Sequence, residues 1–374
     1  MGKHLILAGG GHAHVAVIDG LKDFIDRGHS VTLVSPAPRH HYSGMGPGML
    51  GGAYTPDDIS FPVEAMATAK GAAFVQDAIE RIDSAERAVT LASGTVLHYD
   101  VLSLNIGSGV PTLGTTPPGP EDGVYPVKPI DNLLMARERM LDLLQEREPN
   151  VLVVGGGPAA LEIAGNTWGA ARRVRDEHGG RMPRIRILAG KHFLSRAHPG
   201  VARRARKSLT RRDISIIEHG YATSIAPGSV TLDNGEVFSG DIIFLALGVR
   251  PPELIAASGL PTGPDGGLSV NRHLQSIGAP RIFGGGDCIH FKEQPLDKVG
   301  VYAVRQHAVL PGNLLAALEG RPLTPFNPGG QYLLVYNLGD GTGIFHKGPL
   351  VFGGAPAWWI KDFIDRRFMQ KFRT

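Results

Sequence analysis

Short apolar runs that end in glycine recur along the chain and alternate with segments of helical periodicity. The first unit joins the apolar run Leu5–Ala8 to three glycines and then to Val15–Leu21, which has the spacing of a helix. Short apolar runs bounded by turn residues predict buried parallel strands, and the segments between them predict helices that cover the sheet. The pattern therefore predicts an α/β protein built on parallel sheets.

The same pattern predicts further elements along the chain. It predicts strands at 30–34, 150–154, 184–188, 241–247 and 281–283, a helix at 132–147 and a hairpin at 229–237. Within 96–108 it predicts a polar start, a buried strand and a Gly-Ser stop. The hairpin prediction depends on its Asn-Gly pair, which favours a tight two-residue turn. Glycine or proline follows several of these strands, so we expect the chain to turn sharply at their carboxyl ends.

Two of the glycine clusters are spaced as dinucleotide-binding turns. The first is Gly9-x-Gly11, with His14 where a third small residue is usual, and the second reads Gly-x-Gly-x-x-Ala over residues 155–160. Such a turn and the helix that follows it offer backbone N–H groups to a pyrophosphate, and a Cβ at a glycine position would block the turn or the phosphate. Because both turns lie in a strand–turn–helix setting, they predict two nucleotide-binding domains.

The residue after the second strand of each unit would contact the ribose, and an acid is expected there. The first unit has Ser35 at this position, and the second has Ala189 followed closely by Lys191. A hydroxyl can bond a ribose, whereas the lysine could face a 2′-phosphate or simply be solvated. The choice between NADH and NADPH stays open, as does a nicotinamide site that has degenerated.

A glycine-rich loop over His40–Met49 and the pair Gly286-Asp287 add candidate chemistry. The loop has two adjacent histidines but no neighbouring acid or cysteine, so it predicts no metal site, and its glycines favour a loop wrapped around a flat cofactor. Asp287 follows a strand and a glycine cluster. Its carboxylate could cap the next helix or bond the ribityl chain of a flavin, and the local sequence favours neither role.

Composition narrows the functional classes. A length of 374 residues suits two domains, and 42% hydrophobic with 20% charged residues allows an ordinary core. The net charge of +3 is too small to indicate nucleic acid, and the basic run Arg203–Arg212 has no interleaved aromatic residues. The single cysteine, Cys288, excludes an internal disulfide, a Cys-x-x-Cys pair and a multi-cysteine metal site. We expect neither a signal peptide nor a membrane-spanning segment.

Taken together, these features resemble the two-dinucleotide-binding-domain flavoproteins of the pyridine nucleotide-disulfide oxidoreductase superfamily. The features that match, in the order that the superfamily shows, are the two glycine turns, Asn105–Ser108, Ala246–Gly248 with Pro251, and Gly286-Asp287. Within the superfamily the chain is most similar to the branch of type II NADH dehydrogenases and sulfide:quinone reductases, and there to the flavoprotein domain fused to selenide, water dikinase. The segments that support this closer similarity are Gly9–Val15, Tyr42–Met45, Val127–Asp131 and Lys298–Gln306.

The resemblance implies an FAD-dependent oxidoreductase that passes a hydride from NAD(P)H to FAD and then to a quinone-like acceptor, without redox cysteines. Cofactor-binding roles are implied for Gly9, Gly11, His12, Ser35, Ser43, Gly44, Gly107, Gly155, Gly157, Glu162, Gly248, Gly286 and Asp287. Two alternatives stay open. One is a flavoprotein oxidoreductase with another donor or acceptor, linked to selenium or sulfur metabolism. The other is a flavin-bearing binding or assembly protein with a vestigial NAD(P) site.

For the acceptor end of the flavin, the resemblance implies Lys298, Tyr302 and Gln306 as catalytic residues. A positive charge at Lys298 would stabilise the reduced, anionic ring. Gln306 matches the second of two glutamines in the type II NADH dehydrogenase pattern, but Tyr302 replaces the first. This replacement weakens the case for a quinone.

The implied architecture has two Rossmann-like domains for FAD and NAD(P), the second inserted in the first, plus a C-terminal region that ends in an amphipathic helix. The expected boundaries are 1–112 and 251–322 for the FAD domain, 113–250 for the NAD(P) domain and 323–374 for the C-terminal region.

The expected C-terminal helix, Trp358–Arg373, has aromatic and aliphatic residues on one stripe and five basic against two acidic residues. The stripe consists of Trp359, Ile360, Phe363, Ile364, Phe368 and Phe372. Such a helix suits the membrane interface, although it could also pack on the core or on a second copy in a homodimer. We therefore expect a cytoplasmic protein, peripheral on the inner face of the cytoplasmic membrane.

Overall fold

A computed structural model describes residues 2–111, 113 and 118–372. The first segment has strands β1 His4–Ala8, β2 Ser30–Ser35, β3 His40–His41, β4 Ser60–Phe61, β5 Ala73–Gln76, β6 Ile79–Asp83, β7 Ala88–Leu91, β8 Val96–His98 and β9 Val101–Leu104. Its helices are α1 His12–Asp19, α2 Leu21–Ile25, α3 Gly46–Leu50 and α4 Val63–Thr68.

The second segment has strands β10 Val124–Pro126, β11 Asn150–Val154, β12 Arg184–Leu188, β13 Ser215–Ile217, β14 Ala222–Ala226, β15 Ser229–Leu232, β16 Val237–Ser239 and β17 Ile242–Leu245. Its helices are α5 Asp131–Glu146, α6 Pro158–His178 and α7 Pro199–Thr210. The last segment has strands β18 Leu268–Val270, β19 Ile282–Gly284, β20 Ile289–Phe291, β21 Leu334–Asn337, β22 Gly343–Lys347 and β23 Leu350–Gly354. Its helices are α8 Leu254–Ala257, α9 Gly300–Gln306, α10 Leu310–Glu319 and α11 Ala355–Gln370.

The first parallel sheet has the strand order β19-β9-β1-β2-β5. The central strand β1 is apolar and buried from Leu5 to Ala8, as expected for a strand covered on both faces. Ala8 and Gly284 both pair with Leu104, so the carboxyl ends of β1, β9 and β19 lie at one edge of the sheet. This register brings together three loops that are far apart in sequence.

The second parallel sheet has the order β10-β17-β11-β12-β13, and its strands lie in sequence between β9 and β19 of the first sheet. The predicted fold is therefore confirmed: two Rossmann-like sheets, the second inserted in the first. Val154 pairs with both Leu188 and Leu245, which places the loops after β11, β12 and β17 at one edge. Of the expected domain boundaries, the one at 112 lies outside the described residues, and the others remain predictions.

Within 96–108, which was predicted as a polar start, a buried strand and a Gly-Ser stop, the structure has two strands: the buried strand is β9, and the polar start contains β8. β8 pairs with β7 in an antiparallel sheet, whereas β9 joins the buried parallel sheet. The break falls at Asp100, whose carboxylate accepts a hydrogen bond from the backbone N–H of His4 at 2.8 Å. The predicted helix over 132–147 is α5, displaced by one residue at each end.

The C-terminal helix α11 packs on the sheet β21-β22-β23 and reaches the first domain. The residues of the predicted apolar stripe do not all face the same environment: some are buried in the core and others are exposed to solvent. Phe372, two residues after the helix, is only 2% exposed, whereas Trp359 and Phe363 are 66% and 62% exposed. The aromatic residues are thus divided between the core and solvent, and Arg373 lies outside the described residues. Within 2–111, 113 and 118–372, no helix has the length and apolar character needed to cross a membrane.

Candidate cofactor cleft and active site

A cleft of about 450 Å³ lies at the carboxyl edge of the first sheet. The predicted site residues that line it are Gly9, Gly11, His12, Ser35, Ser43, Gly107, Gly286 and Asp287. They come from the carboxyl end of β2, the residues that follow β1, β9 and β19, and the segment after β3, so the parallel register places them around one cavity. Gly44 lies next to this lining, where its carbonyl accepts a hydrogen bond from the Lys361 ammonium at 2.9 Å.

The first glycine turn is shaped by its contact with Asn105 at the end of β9. Gly9 has a φ of +85°, and a Cβ there would lie 2.5 Å from the Asn105 carbonyl oxygen. A Cβ at Gly11 would lie 2.3 Å from Asn105 Oδ1. Both positions therefore require glycine for packing, before any cofactor is considered.

Asn105 helps to shape the site, a role that the sequence analysis did not predict. Its Oδ1 accepts a hydrogen bond from the backbone N–H of Ala13 at 2.9 Å, and its Nδ2 donates to the Gly285 carbonyl at 2.6 Å. The buried amide thus joins the start of α1 to the loop before Asp287. No local sequence signal indicates this role, because the partners are 92 and 180 residues away.

Asp287 lies in the cleft next to the Lys128 ammonium, for which the sequence analysis predicted no role. Its Oδ2 is 2.7 Å from Lys128 Nζ and accepts a hydrogen bond from the Ser108 hydroxyl at 2.8 Å. Lys128 Nζ also donates to the Ser108 oxygen at 2.8 Å. The lysine thus provides a positive charge inside the cleft and fixes the orientation of the Asp287 carboxylate.

The second glycine turn repeats this packing at the edge of the second sheet. Gly155 has a φ of +137°, and a Cβ there would lie 2.2 Å from the Ala246 carbonyl oxygen. Gly157 is different, because a Cβ on it would meet no described atom within 4 Å. Gly157 precedes the 21-residue helix α6, so the open space lies where a phosphate would approach the helix N-terminus. Gly248, with a φ of +88°, follows β17 at the same edge.

Glu162 lies on α6 in a buried cluster of charges rather than in the cleft. It accepts a hydrogen bond from the backbone N–H of Asn337 at 2.8 Å, and burial raises its pKa although the charge of Lys361 opposes this. Lys361 in turn is 2.8 Å from the Asp365 carboxylate. The cluster joins the second domain to α11.

The three residues predicted to surround the acceptor end of the flavin do not line the cleft. Lys298 pairs with Asp265 at 2.8 Å and donates to the Ile289 carbonyl, so its charge is already compensated. Tyr302 packs edge to face on Tyr332 with ring centroids 5.5 Å apart.

Gln306 is fully buried at the end of α9. Its Oε1 accepts a hydrogen bond from the backbone N–H of Gly286 at 2.7 Å, so it holds the segment that carries Asp287. Its Nε2 has no hydrogen-bond partner among the described residues. The catalytic roles of Lys298, Tyr302 and Gln306 therefore remain predictions.

Cys288 is buried behind Asp287 and does not face the cleft. Its thiol is within hydrogen-bonding distance of the Leu104 and Gly285 carbonyl oxygens, at 3.4 and 3.2 Å. Burial raises the pKa of this thiol to about 11. A buried thiol that resists ionisation is a poor nucleophile, and the sequence contains no second cysteine for a dithiol pair.

The residues of the cleft fit FAD. The glycines of the first turn and the first residue of α1 line the cleft, where a pyrophosphate would meet backbone N–H groups. Asp287 and Lys128 provide an acceptor and a cation for the polar chain of the cofactor, and His12 Nε2 is a buried polar atom without a partner among the described residues. The second glycine turn offers a separate site for a nicotinamide nucleotide.

Comparisons with known proteins agree with this geometry. The family model described as pyridine nucleotide-disulphide oxidoreductase matches residues 3–310. Ferroptosis suppressor protein 1 of Taeniopygia guttata is 28% identical over 291 residues, which cover 73% of this chain and 71% of that protein. The type II NADH:quinone oxidoreductase of Staphylococcus saprophyticus is 23% identical over 99% of this chain and 96% of its own.

Two solved structures share the fold over nearly the whole chain. NDH2 from Plasmodium falciparum in complex with NADH has a TM-score of 0.81 at 14% identity and covers 99% of this chain and 96% of that one. The sulfide:quinone oxidoreductase of Aquifex aeolicus has a TM-score of 0.77 at 18% identity, with 99% and 91% covered. With its two glycine turns, its cofactor cleft and a family match over most of its length, the chain belongs to the pyridine nucleotide-disulphide oxidoreductase family, and it is an FAD-dependent enzyme that acts on a pyridine nucleotide.

Proposed function

We propose that this protein transfers two electrons from NAD(P)H to a quinone, with FAD as cofactor and without a thiol. The observation that carries the proposal is the environment of Cys288, which is buried and is the only cysteine in the sequence; its burial also raises the pKa of its thiol. Dithiol chemistry is thereby excluded, and hydride transfer remains. FAD supplies that chemistry when bound, so the protein needs only to bind and orient its partners.

Residues in the cleft and the buried residues behind it would orient the cofactor. Asn105 and His14 fix the first glycine turn against β9, and Lys128 fixes the Asp287 carboxylate. Gln306 holds Gly286 by its backbone N–H, so the polar chain of the cofactor would meet groups whose positions are already set. Such preorganisation reduces the conformational entropy that binding costs.

The proposal of a quinone as electron acceptor rests on the relatives and not on a cavity. The type II NADH:quinone oxidoreductase of Staphylococcus saprophyticus aligns with 99% of this chain. Tyr302 occupies the first of the two glutamine positions in the expected acceptor segment, so the acceptor end of the site differs there from the type II NADH dehydrogenase pattern. Lys298, Tyr302 and Gln306 are the residues that we propose for this end of the site.

We further propose that the enzyme is peripheral on the inner face of the cytoplasmic membrane. The exposed side of α11 presents Trp359 and Phe363 together with Arg366 and Arg367 around a shallow depression. Exposed aromatic rings beside arginines suit the boundary between lipid headgroups and acyl chains, where a quinone is dissolved. A homodimer through the same face is the competing arrangement.

The electron donor is tested by a substitution at the second glycine turn. Gly157→Ala adds a Cβ where the protein has open space, so the fold and the flavin content should not change. The same Cβ would obstruct a pyrophosphate, and we expect the KM for NAD(P)H to rise by about tenfold or more in a steady-state assay with a soluble quinone. An unchanged KM, or wild-type protein that oxidises neither NADH nor NADPH, would contradict the proposal.

The same assay tests the similarity to the flavoprotein domain fused to selenide, water dikinase. Sulfide or selenide is supplied in place of NAD(P)H, with the quinone as acceptor. We expect no quinone reduction from either donor, because Cys288 is buried away from the cleft. Reduction by one of them at a rate similar to that with NAD(P)H would favour a link to sulfur or selenium chemistry.

The membrane contact is tested by vesicle co-sedimentation. Removing the helix would also remove the buried Met369 and Phe372, so point substitutions are preferable to a deletion. Trp359→Ser with Phe363→Ser should abolish binding to vesicles that contain anionic lipid. The matched control, Val96→Ser with Val237→Ser, changes two exposed apolar residues elsewhere and should bind like wild type. Equal binding by both double variants would contradict the proposed contact.

A further inference from the structure

One buried polar atom beside the cofactor cleft has no partner within the described part of the chain. It is Nε2 of His12, a residue that lines the cleft and is only 8% exposed. His12 is the first residue of α1 and directly follows the glycine turn. A buried imidazole nitrogen without a hydrogen bond is costly, so its position indicates a ligand that bonds it.

The other ring nitrogen of His12 is bonded by a second histidine. His40 Nε2 lies 3.2 Å from His12 Nδ1, and the two rings meet edge to face with centroids 4.9 Å apart. Burial and the charge of neighbouring groups hold the pKa of His12 well below its ordinary value, and burial lowers that of His40 to about 4. Both rings are therefore neutral near neutral pH, and each carries a single ring proton.

Because both rings are neutral, the direction of the hydrogen bond between them determines which nitrogen of His12 carries the proton. If His40 Nε2–H donates to His12 Nδ1, the proton of His12 must be on Nε2, which can then donate to a ligand. If His12 Nδ1–H donates instead, Nε2 can only accept. An anionic ligand is bonded only by the first arrangement, so the tautomer of His40 sets the ligand preference of His12.

The surroundings of this pair favour an anion. The Lys128 ammonium is close enough to lower the pKa of both rings, and the N-terminus of α1 adds a positive partial charge at the same place. His307 donates from Nε2 to the main-chain carbonyl of His12 at 2.6 Å and leaves the His12 side chain free. His41, the remaining neighbour on β3, faces the Asp131 carboxylate at 3.2 Å.

We propose that His40 is a positioning residue: it holds His12 in the tautomer whose Nε2–H points into the cleft and donates to a pyrophosphate oxygen of FAD. The inference deepens the cofactor site and rests on FAD being the cofactor. It goes beyond the glycine turn, because it assigns part of the binding to a pair of side chains 28 residues apart.

The segment that carries His40 is held in place from the other side by α11. Tyr42 donates from its hydroxyl to Asp365 Oδ1 at 3.3 Å, and Lys361 donates to the Gly44 carbonyl at 2.9 Å. The Tyr42 and Phe368 rings pack near His12, with centroids 5.0 and 6.5 Å from it. His40 therefore approaches His12 from a fixed backbone, as a positioning residue requires.

The test compares the FAD dissociation constants of full-length variants, measured from the flavin fluorescence released on dilution. His40→Leu removes the donor and should raise the constant about tenfold, the cost of one hydrogen bond to a charged group. His40→Gln keeps an N–H donor at a similar reach and should bind within about twofold of wild type. His29→Leu, at a buried histidine outside the cleft, should equal wild type.

A competition experiment locates the contact at the pyrophosphate. The inhibition constant of ADP, obtained by competition and corrected for the FAD dissociation constant of each variant, should rise about tenfold in His40→Leu, whereas that of adenosine, which has no phosphate, should not change. The inference is overturned if His40→Leu binds FAD like wild type, if His40→Gln binds as weakly as His40→Leu, or if adenosine weakens as much as ADP. None of these measurements involves NAD(P)H or quinone, so a failure here is separate from a failure of the proposed reaction.

Nitrogen-15 spectra of the wild-type holoprotein supply a second test that does not depend on the folding of His40→Leu. The His12 signals are assigned by their loss in His12→Gln. We expect the ring proton of His12 on Nε2 and none on Nδ1. A proton on Nδ1 would overturn the inference.

Discussion

The imidazole of His14 joins the glycine turn to the neighbouring strand, with its Nε2 2.8 Å from the Ser103 hydroxyl oxygen. Its Nδ1 lies 2.6 Å from the Gly9 carbonyl oxygen, so one fully buried ring bridges β1 and β9. The sequence places this histidine where dinucleotide-binding turns usually have a small residue. The structure explains the histidine, because its ring forms hydrogen bonds with a carbonyl and a hydroxyl that would otherwise be buried without partners.

Replacement of His14 should therefore destabilise the first domain. His14→Ala leaves the Gly9 carbonyl and the Ser103 hydroxyl unpaired, and we expect a loss of about 1–3 kcal/mol in the free energy of unfolding. Urea denaturation followed by circular dichroism measures it. The control, His98→Ala, changes an exposed histidine on β8 and should alter stability by less than about 0.5 kcal/mol. Equal stability of both variants would show that the bridge contributes nothing.

The buried histidines also make stability depend on pH. Burial lowers the pKa of His14 from 6.5 to about 4, so the unfolded chain takes up a proton before the folded chain does. Stability should therefore fall as the pH falls from about 6.5 towards 4, by up to about 1.4 kcal/mol per pH unit for this group. Urea denaturation at several pH values should give a shallower dependence for His14→Gln than for wild type. Identical slopes would contradict this assignment.

The elements that the sequence predicted well are those whose signals are local. β11 and β12 have the predicted bounds, because each is an apolar run bounded by turn residues. The glycine turns were predictable for the same reason. The separate strand β8 was not, because it pairs with β7 and is divided from β9 by a bond between the Asp100 carboxylate and a backbone N–H on β1.

Several site residues could not be predicted because their partners are distant in sequence. Lys128 meets Asp287 across 159 residues, and Asn105 meets Gly285 across 180. A pattern in one stretch of sequence cannot reveal such pairs. The division of the α11 stripe between core and solvent also depends on tertiary packing, which helical periodicity does not contain.

Cys288 should not react with thiol-modifying reagents in the folded protein. A maleimide or iodoacetamide reagent should not label it until denaturant is added, because the thiol is buried and its pKa is raised to about 11. Mass spectrometry of the intact protein before and after unfolding measures the label. Rapid labelling of the native protein would contradict the burial of this thiol and reopen thiol chemistry.

The pair Lys361–Asp365 should stabilise the protein far more than its neighbour on the same helix. The side chains of Lys361 and Asp365 are 12% and 6% exposed, whereas those of the Arg366–Asp362 pair are 46% and 29% exposed. Lys361→Met would leave two carboxylates, Asp365 and Glu162, without their cation, and we expect a loss of about 3–5 kcal/mol.

Arg366→Met is the matched control for that change, since it breaks an exposed pair with the same spacing and should cost less than about 1 kcal/mol. Urea denaturation of both variants gives the comparison. Similar losses in the two variants would show that the buried cluster does not join α11 to the domains.

The central claim is hydride transfer from NAD(P)H to a quinone without a thiol, and anaerobic mixing of the Cys288→Ser holoprotein tests it most directly. NADH or NADPH should bleach the visible flavin absorbance, and a soluble quinone should then restore it, both at wild-type rates. Absence of bleaching by either nucleotide, absence of recovery with quinone, or loss of either step in Cys288→Ser alone would contradict the account.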